Sequence, residues 1–168
     1  MLLRVHGIGV LISGASGSGK SITALELVAR GHALVADDAV EIRKSPGARL
    51  EATCVPLLRG RLAVRELGVL DLRALYGSRA VRRRQRLDLV IRLTTRRPLN
   101  ARALLSGRRS TRRILNCPIP VLSLSVNVGH NLATLVEAAC LAQRLRQRGY
   151  NTVRTFAAQQ LKAIKNTS

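Results

Sequence analysis

Apolar and polar positions along the chain fall into recognisable periods, and these predict an alternation of short strands and helices. Residues 9–13, "GVLIS", form a short apolar run of the kind buried strands show. The next apolar pattern is different: "KSITALELVAR" (20–30) carries Ile22, Leu25, Leu27 and Val28, consistent with a helix packed on a sheet. Gly31 supplies its stop. "ALVA" (33–36) predicts a second buried strand, expected to lie beside the first and ending in Asp37-Asp38. "AVEIR" (39–43) alternates and predicts a third, and "SPGARLEA" (45–52) holds a turn. "RLAVREL" (61–67) alternates again before Gly68 and "VLDL". "LDLVIRL" (87–93) and "IPVLSLSV" (119–126) predict further strands. Between them, Thr94 to Arg113 is polar and Arg-rich, with Pro98 and Gly107, and predicts a loop. Asn131 to Arg148 is an amphipathic helix closed by Gly149, and Thr152 to Lys165 predicts a second terminal helix. Several strands follow one another without a helix between them, so the expected class is α/β with a mixed sheet and flanking helices. With 168 residues and neither repeat nor linker, one domain over 1–168 is expected.

Composition narrows the picture. There is no Trp, one Phe and two Tyr, so the core is built from Val, Leu, Ile and Ala. The net charge is +20, almost all from arginine, since Lys occurs only at 20, 44, 162 and 165. Such a field attracts anionic partners, but Arg82-Arg83-Arg84, Arg96-Arg97, Arg108-Arg109 and Arg112-Arg113 have no aromatic residues among them. A base-stacking platform for nucleic acid is therefore not expected. Cys54, Cys117 and Cys140 have no metal-ligand or disulfide spacing; they read as small core residues in a reducing cytoplasm. No signal peptide and no run long enough to cross a bilayer is visible.

The chemistry concentrates in "GASGSGKS", residues 14–21. Gly14-x-x-x-x-Gly19-Lys20-Ser21 is the complete Walker A pattern, set after a strand and before a helix. Its glycines let the backbone of Gly14, Ala15, Ser16, Gly17, Ser18 and Gly19 curl so that N–H groups face phosphate oxygens. The helix beginning near Lys20 adds its positive end. Lys20 can reach the β- and γ-phosphates of ATP, and Ser21 can ligate Mg²⁺. Asp37-Asp38 follows as a pair of carboxylates able to hold the metal or accept a proton from an attacking hydroxyl. Alternation along a strand would send the two to opposite sides.

From here the chain resembles a known family, the bacterial HPr kinase/phosphorylases. "GVLISGASGSGKSITALELVARGHALVADDAVEI" is similar to the phosphate-loop core of that family, and "VPLLRGRLAVRELGVLDLRALYG" (55–77) to its signature segment. "VNVGHNLATLVEAAC" (126–140) and "RQRGYN" followed by "FAAQQLKAI" are similar to its later turn, helix and tail. The resemblance implies an ATP- and Mg²⁺-using enzyme that phosphorylates a serine of HPr, the phosphocarrier protein of the sugar phosphotransferase system. It also implies removal of that phosphate with inorganic phosphate, releasing pyrophosphate. The implied core is similar to that of phosphoenolpyruvate carboxykinase, and the implied assembly is a hexamer. Members usually carry an N-terminal domain as well, and the resemblance implies that residues 1–168 correspond to the catalytic domain alone. The resemblance puts the phosphate-binding role on Lys20, metal ligation on Ser21 and the acid/base role on Asp38.

Several positions depart from the family pattern. The family's catalytic histidine would fall ahead of Met1, and His6 reads as a structural residue near the loop. Ala63 stands where the family has a metal-ligating glutamate. Glu66 is three residues on, a spacing expected to put it on the opposite strand face. The catalytic arginine falls at Leu104 by ungapped count, with Arg102 close enough to be the candidate. His130 replaces a turn arginine, and Ala15 an acidic residue. Three readings stand: an HPr-type serine kinase/phosphorylase of full or impaired activity, a non-catalytic nucleotide-binding scaffold, and a small-molecule or nucleic-acid P-loop kinase.

Overall fold

A computed structural model describes residues 1–47, 49–95, 107–126 and 131–167, with side chains through 160. Its centre is a mixed six-stranded sheet. In chain order the strands are β1 (Leu2–Val5), β2 (Ile8–Ser13), β3 (Ala33–Ala36), β4 (Val40–Ser45), β5 (Arg49–Cys54), β6 (Arg61–Val64), β7 (Gly68–Asp71), β8 (Arg84–Arg86), β9 (Leu89–Thr94), β10 (Arg108–Ile114) and β11 (Cys117–Ser125). The helices are α1 (Lys20–Ala29), α2 (Leu72–Tyr76), α3 (Leu132–Gln147) and α4 (Thr152–Thr167). The large sheet runs β10-β11-β9-β2-β1-β3. Strand β9 pairs in parallel with both β2 and β11, and the other pairings are antiparallel. The expected α/β class with a mixed sheet is what forms.

Period-2 alternation sorts the sheet's side chains into two cores. Leu3, Val10, Ile12, Leu34, Ile91 and Leu122 face one side, where they meet Leu27 and Val28 of α1 and Val136 and Cys140 of α3. Leu2, Val35, Val90 and Val121 face the other, against Leu50 and Ala52 of β5. The smaller sheet β4-β5-β8 thus covers one face and helices the other. Cys54, Cys117 and Cys140 are buried free thiols, as their spacing suggests.

Two expectations are corrected. The strand carrying Asp37-Asp38 does not neighbour the strand before the phosphate loop, because β1 lies between them. Strand β1 escapes a periodicity reading because it is only four residues long, Leu2-Leu3-Arg4-Val5, with its first two both buried. It joins β2 through His6 and Gly7, both at positive φ (49° and 85°), which makes the tight turn that suits a twisted hairpin. Second, the expected Arg-rich loop contains β10, paired along its length with β11 from Arg108↔Ser123 to Ile114↔Cys117. An edge strand that bears arginines shows neither a buried run nor apolar alternation. The turn expected within 45–52 forms between β4 and β5, which pair from Val40↔Cys54 to Ser45↔Arg49.

One buried carboxylate ties these parts together. The Asp88 side chain is 2% exposed and accepts hydrogen bonds from the Gly9 N–H (2.9 Å), Arg86 Nε (2.6 Å) and Gln147 Nε2 (3.0 Å). It links β2, β8 and the end of α3, and no sequence motif announces it. Among the described residues no helix is long and apolar enough to cross a membrane.

Candidate functional site

Strand β2 delivers the chain into the loop 14–19, and α1 leaves it. Gly19 caps α1 in the left-handed region (φ 85°), with no side chain capping the helix. The first bond into the helix runs from Thr23 N–H to Gly19 O (2.9 Å), and Thr23 Oγ1 donates to the same oxygen (2.7 Å). In an α-helix the leading amides, here those of Lys20, Ser21 and Ile22, have no acceptor within the helix and form a positive end. The loop is closed by Ser18 N–H donating to Ala15 O (3.2 Å). Gly14 admits no side chain: a Cβ there would lie 2.7 Å from Ser18 Oγ and 3.0 Å from Leu93 Cβ. Ser18 Oγ itself is buried without a hydrogen-bond partner, an orphaned polar atom inside the loop. Lys20 Nζ curls back to donate to Gly14 O (2.9 Å) and Ala15 O (2.8 Å), which holds its ammonium at the loop mouth.

Beside the loop lies a cleft of about 620 Å³. Its lining includes Ser16, Gly17, Gly19, Lys20 and Ser21 from the loop and helix start, Asp37 and Asp38 after β3, and Ala63, Arg65 and Glu66 from β6 and its turn. Gly14, Ala15 and Ser18 belong to the loop but not to this lining. The intervening strand β1 therefore does not keep Asp37-Asp38 from the phosphate loop. Both aspartates line the cleft, and because β3 ends at Ala36 the pair lies in the bend that follows, where strand alternation no longer governs its side chains. Asp37 Oδ2 accepts the Ala63 N–H at 3.0 Å. Burial raises the Asp37 carboxyl above the usual carboxylate range and the neighbouring Asp38 adds to this, against the Ala63 hydrogen bond and Lys20.

Glu66 also corrects an expectation. Strand β6 ends at Val64, and Leu67 N–H bonds back to Val64 O (3.0 Å) in a turn, so strand alternation does not extend to Glu66. It lines the same cleft as Ala63. Arg65, to which no motif points, lines it too; its closeness to Ala63 in the signature segment is the available signal. Arg102, Leu104 and His130 lie outside the described residues.

The groups present fit a nucleotide phosphate and a hard cation. The loop offers peptide N–H groups, one orphaned hydroxyl and one ammonium, and no room for a Cβ at Gly14. The cleft offers the oxygen donors of Ser21, Asp37, Asp38 and Glu66, the donor type Mg²⁺ takes.

Fold and loop together define an α/β domain of the P-loop kinase-like class. Residues 1–160 match the family model "HPr Serine kinase C-terminal domain", and the chain belongs to that family. It is 43% identical over 168 residues to an HPr kinase/phosphorylase of Bordetella petrii, covering 100% of this chain and 54% of the relative. It is 38% identical over 164 residues to one of Brevibacillus brevis, covering 98% and 53%. The chain thus spans about half the length of these curated relatives. A solved structure, the Hpr(Ser) kinase/phosphatase of Coxiella burnetii, superposes with a TM-score of 0.83 at 30% identity, covering 92% of this chain and 94% of that one.

Proposed function

We propose that this chain is the catalytic portion of an ATP-dependent serine kinase/phosphorylase that acts on an HPr-like phosphocarrier protein. The observation that carries the reading is the shared lining of one cleft by Lys20, Ser21, Asp37 and Asp38. In the forward reaction Asp38 takes the proton of the substrate serine hydroxyl as the serine oxygen bonds to the γ-phosphorus. The bond from that phosphorus to the β–γ bridging oxygen breaks, and ADP leaves. In the reverse reaction inorganic phosphate attacks the phosphoserine phosphorus, pyrophosphate forms, and Asp38 returns its proton to the leaving serine oxygen. Lys20 and the amides of residues 14–21 hold the phosphates and spread the developing charge. Mg²⁺, held by Ser21 with the facing carboxylates, would supply further charge neutralisation. Arg102 is the candidate second cationic stabiliser.

Ala63 offers the cleft no side-chain ligand, so whether transfer occurs at full or reduced rate rests on the carboxylates that remain, Asp37, Asp38 and Glu66. Loss of one electrostatic stabiliser commonly costs about 10² to 10³ in turnover. The same observation favours the second reading, a nucleotide-binding scaffold without transfer. Incubation with labelled ATP, Mg²⁺ and HPr separates them. Transfer to a serine of HPr that vanishes in Asp38→Asn supports the enzyme, and ATP binding without transfer supports the scaffold. Salt-sensitive RNA binding indifferent to ATP would support neither. We also propose a homo-oligomer, hexameric by resemblance and acting in the cytoplasm. Leu57, Leu67, Val69 and Leu75 around the β6–β7 hairpin and α2 are all more than half exposed, an apolar surface suited to a partner copy.

A further inference from the structure

At the end of α1 away from the phosphate loop, three side chains from three elements converge. His6 comes from the β1–β2 turn, His32 from the residues joining α1 to β3, and Glu137 from α3. One ligating atom from each lies within 4.8 Å of the other two. Glu137 Oε1 is 2.7 Å from His32 Nε2 and 3.9 Å from His6 Nε2, and the two imidazole rings meet edge to face with centroids 4.6 Å apart. A helix of ten residues separates this cluster from the phosphate loop by about 15 Å.

We infer that His6, His32 and Glu137 form a binding site for a divalent transition metal of the Zn²⁺ class, with water or an exogenous anion as the fourth ligand. Two imidazoles and one carboxylate are ligands Zn²⁺ takes at about 2.0–2.2 Å, and tetrahedral ligand atoms then lie roughly 3.3 Å apart. On that comparison the His32–Glu137 pair must open slightly from 2.7 Å, His6 must close slightly on Glu137 from 3.9 Å, and the ligand atoms of the two imidazoles, within 4.8 Å of each other, must close by at most about 1.5 Å. His6 has the freedom to do so, since its side chain is 34% exposed in a hairpin turn.

The surroundings suit a ligating carboxylate. Arg30 NH1 holds the other oxygen of Glu137, Oε2, at 2.8 Å and also donates to Thr134 Oγ1 (3.0 Å), while its NH2 donates to Asn131 Oδ1 (3.2 Å). Glu137 is thus oriented through Oε2 while Oε1 faces the two histidines, the kind of outer support that metal carboxylates receive. An ion pair of Arg30, His32 and Glu137 alone would not need His6, whose Nε2 stands beyond hydrogen-bond range of Oε1. The metal gives that imidazole a role and clamps the β1–β2 turn and the end of α1 to α3.

The test uses the untagged full chain at neutral pH in excess Mg²⁺, so that the phosphate-loop cleft does not contribute. Zn²⁺ is titrated in competition with a chromophoric chelator, and Co²⁺ is used as a spectroscopic substitute. The expected result is one ion per chain, visible cobalt bands of a tetrahedral site without a thiolate charge-transfer band, and a Zn²⁺-dependent rise in melting temperature. In His6→Asn, chosen because Asn tolerates the left-handed backbone of position 6, affinity should fall by roughly 100-fold or more. The metal-free melting temperature should stay near that of the wild type. Stoichiometric binding that survives His6→Asn, a thiolate band, or no binding by the wild type at micromolar Zn²⁺ would each overturn the assignment.

Discussion

Asp37 accepts the backbone N–H of Ala63 at 3.0 Å, a hydrogen bond that pins the β6 edge of the cleft to the bend after β3. The residue that brings no side-chain ligand to the site therefore still positions a carboxylate in it.

This pair sets a pH dependence. Asp37 has its pKa raised above 3.8, chiefly by burial. The folded chain then holds the Asp37 proton more tightly than the unfolded chain does. The resulting stability is present at pH below the unfolded value and is lost as pH rises through the folded one. At neutral pH the half-buried, ionised Asp37 is a net burden on the fold. Asp37→Asn keeps an acceptor for Ala63 N–H, so in the absence of nucleotide it should melt higher than wild type at neutral pH. The two curves should converge in acid. Melting temperature against pH checks this, and a lower melting temperature at neutral pH would contradict it.

Lys20 is the principal side-chain cation of the loop. At a nucleotide concentration about 100 times Kd, ligand binding stabilises the fold by about 2.7 kcal/mol. For a chain of this size that corresponds to a melting shift of roughly 5–10 °C. Lys20→Ala should abolish the shift at the same concentration. Differential scanning fluorimetry with ATP and Mg²⁺ measures it, and an undiminished shift would remove Lys20 from the phosphate site.

Ala63→Glu should return a carboxylate to the cleft beside Asp37, Asp38 and Glu66. The expected outcome is tighter Mg²⁺-dependent ATP binding and, if HPr is the substrate, a transfer rate higher by about 10-fold or more. Glu66→Gln in the wild type should weaken the Mg²⁺ dependence, because Glu66 shares that lining. Titration calorimetry across Mg²⁺ concentrations distinguishes a metal effect from a change in nucleotide contacts alone.

Asp88 is a structural prediction. Asp88→Ala leaves the Gly9 N–H and Gln147 Nε2 without this acceptor in a buried setting. Hydrogen bonds to a charged group contribute about 1.5–3 kcal/mol each, so a loss of about 2–4 kcal/mol is expected once partial re-solvation is allowed for. The melting temperature should fall by roughly 5–15 °C. Chemical denaturation gives the free energy directly.

The exposed apolar group at Leu57, Leu67, Val69 and Leu75 should be covered in solution. Light scattering at micromolar concentration should report an oligomer that Val69→Glu weakens without unfolding the chain. A wild-type monomer would count against the assembly.

The phosphate loop is legible in the sequence because its parts are contiguous. Residues 14–21 carry their own glycines, lysine and hydroxyl, and the apolar run and helical period on either side supply the context. The helices are legible for the same reason, since α1 and α3 show their buried stripe within one stretch of chain. Strand β10 is hidden because arginines on a solvated edge leave no apolar period. The orientation of Glu66 escapes strand alternation because the turn after Val64 ends it.

Other features depend on contacts between residues far apart in sequence. Asp88 meets Gly9 across 79 positions and His32 meets Glu137 across 105. Local periodicity reports whether a residue is buried, not which distant side chain it faces. Only the sheet order β9-β2-β1-β3, with helices packed on one face, brings Asp37 and Asp38 to the loop and His6 to Glu137. The chain's own pattern determines an α/β domain with a Walker A loop; which carboxylates and imidazoles surround it follows from how the strands are ordered and packed.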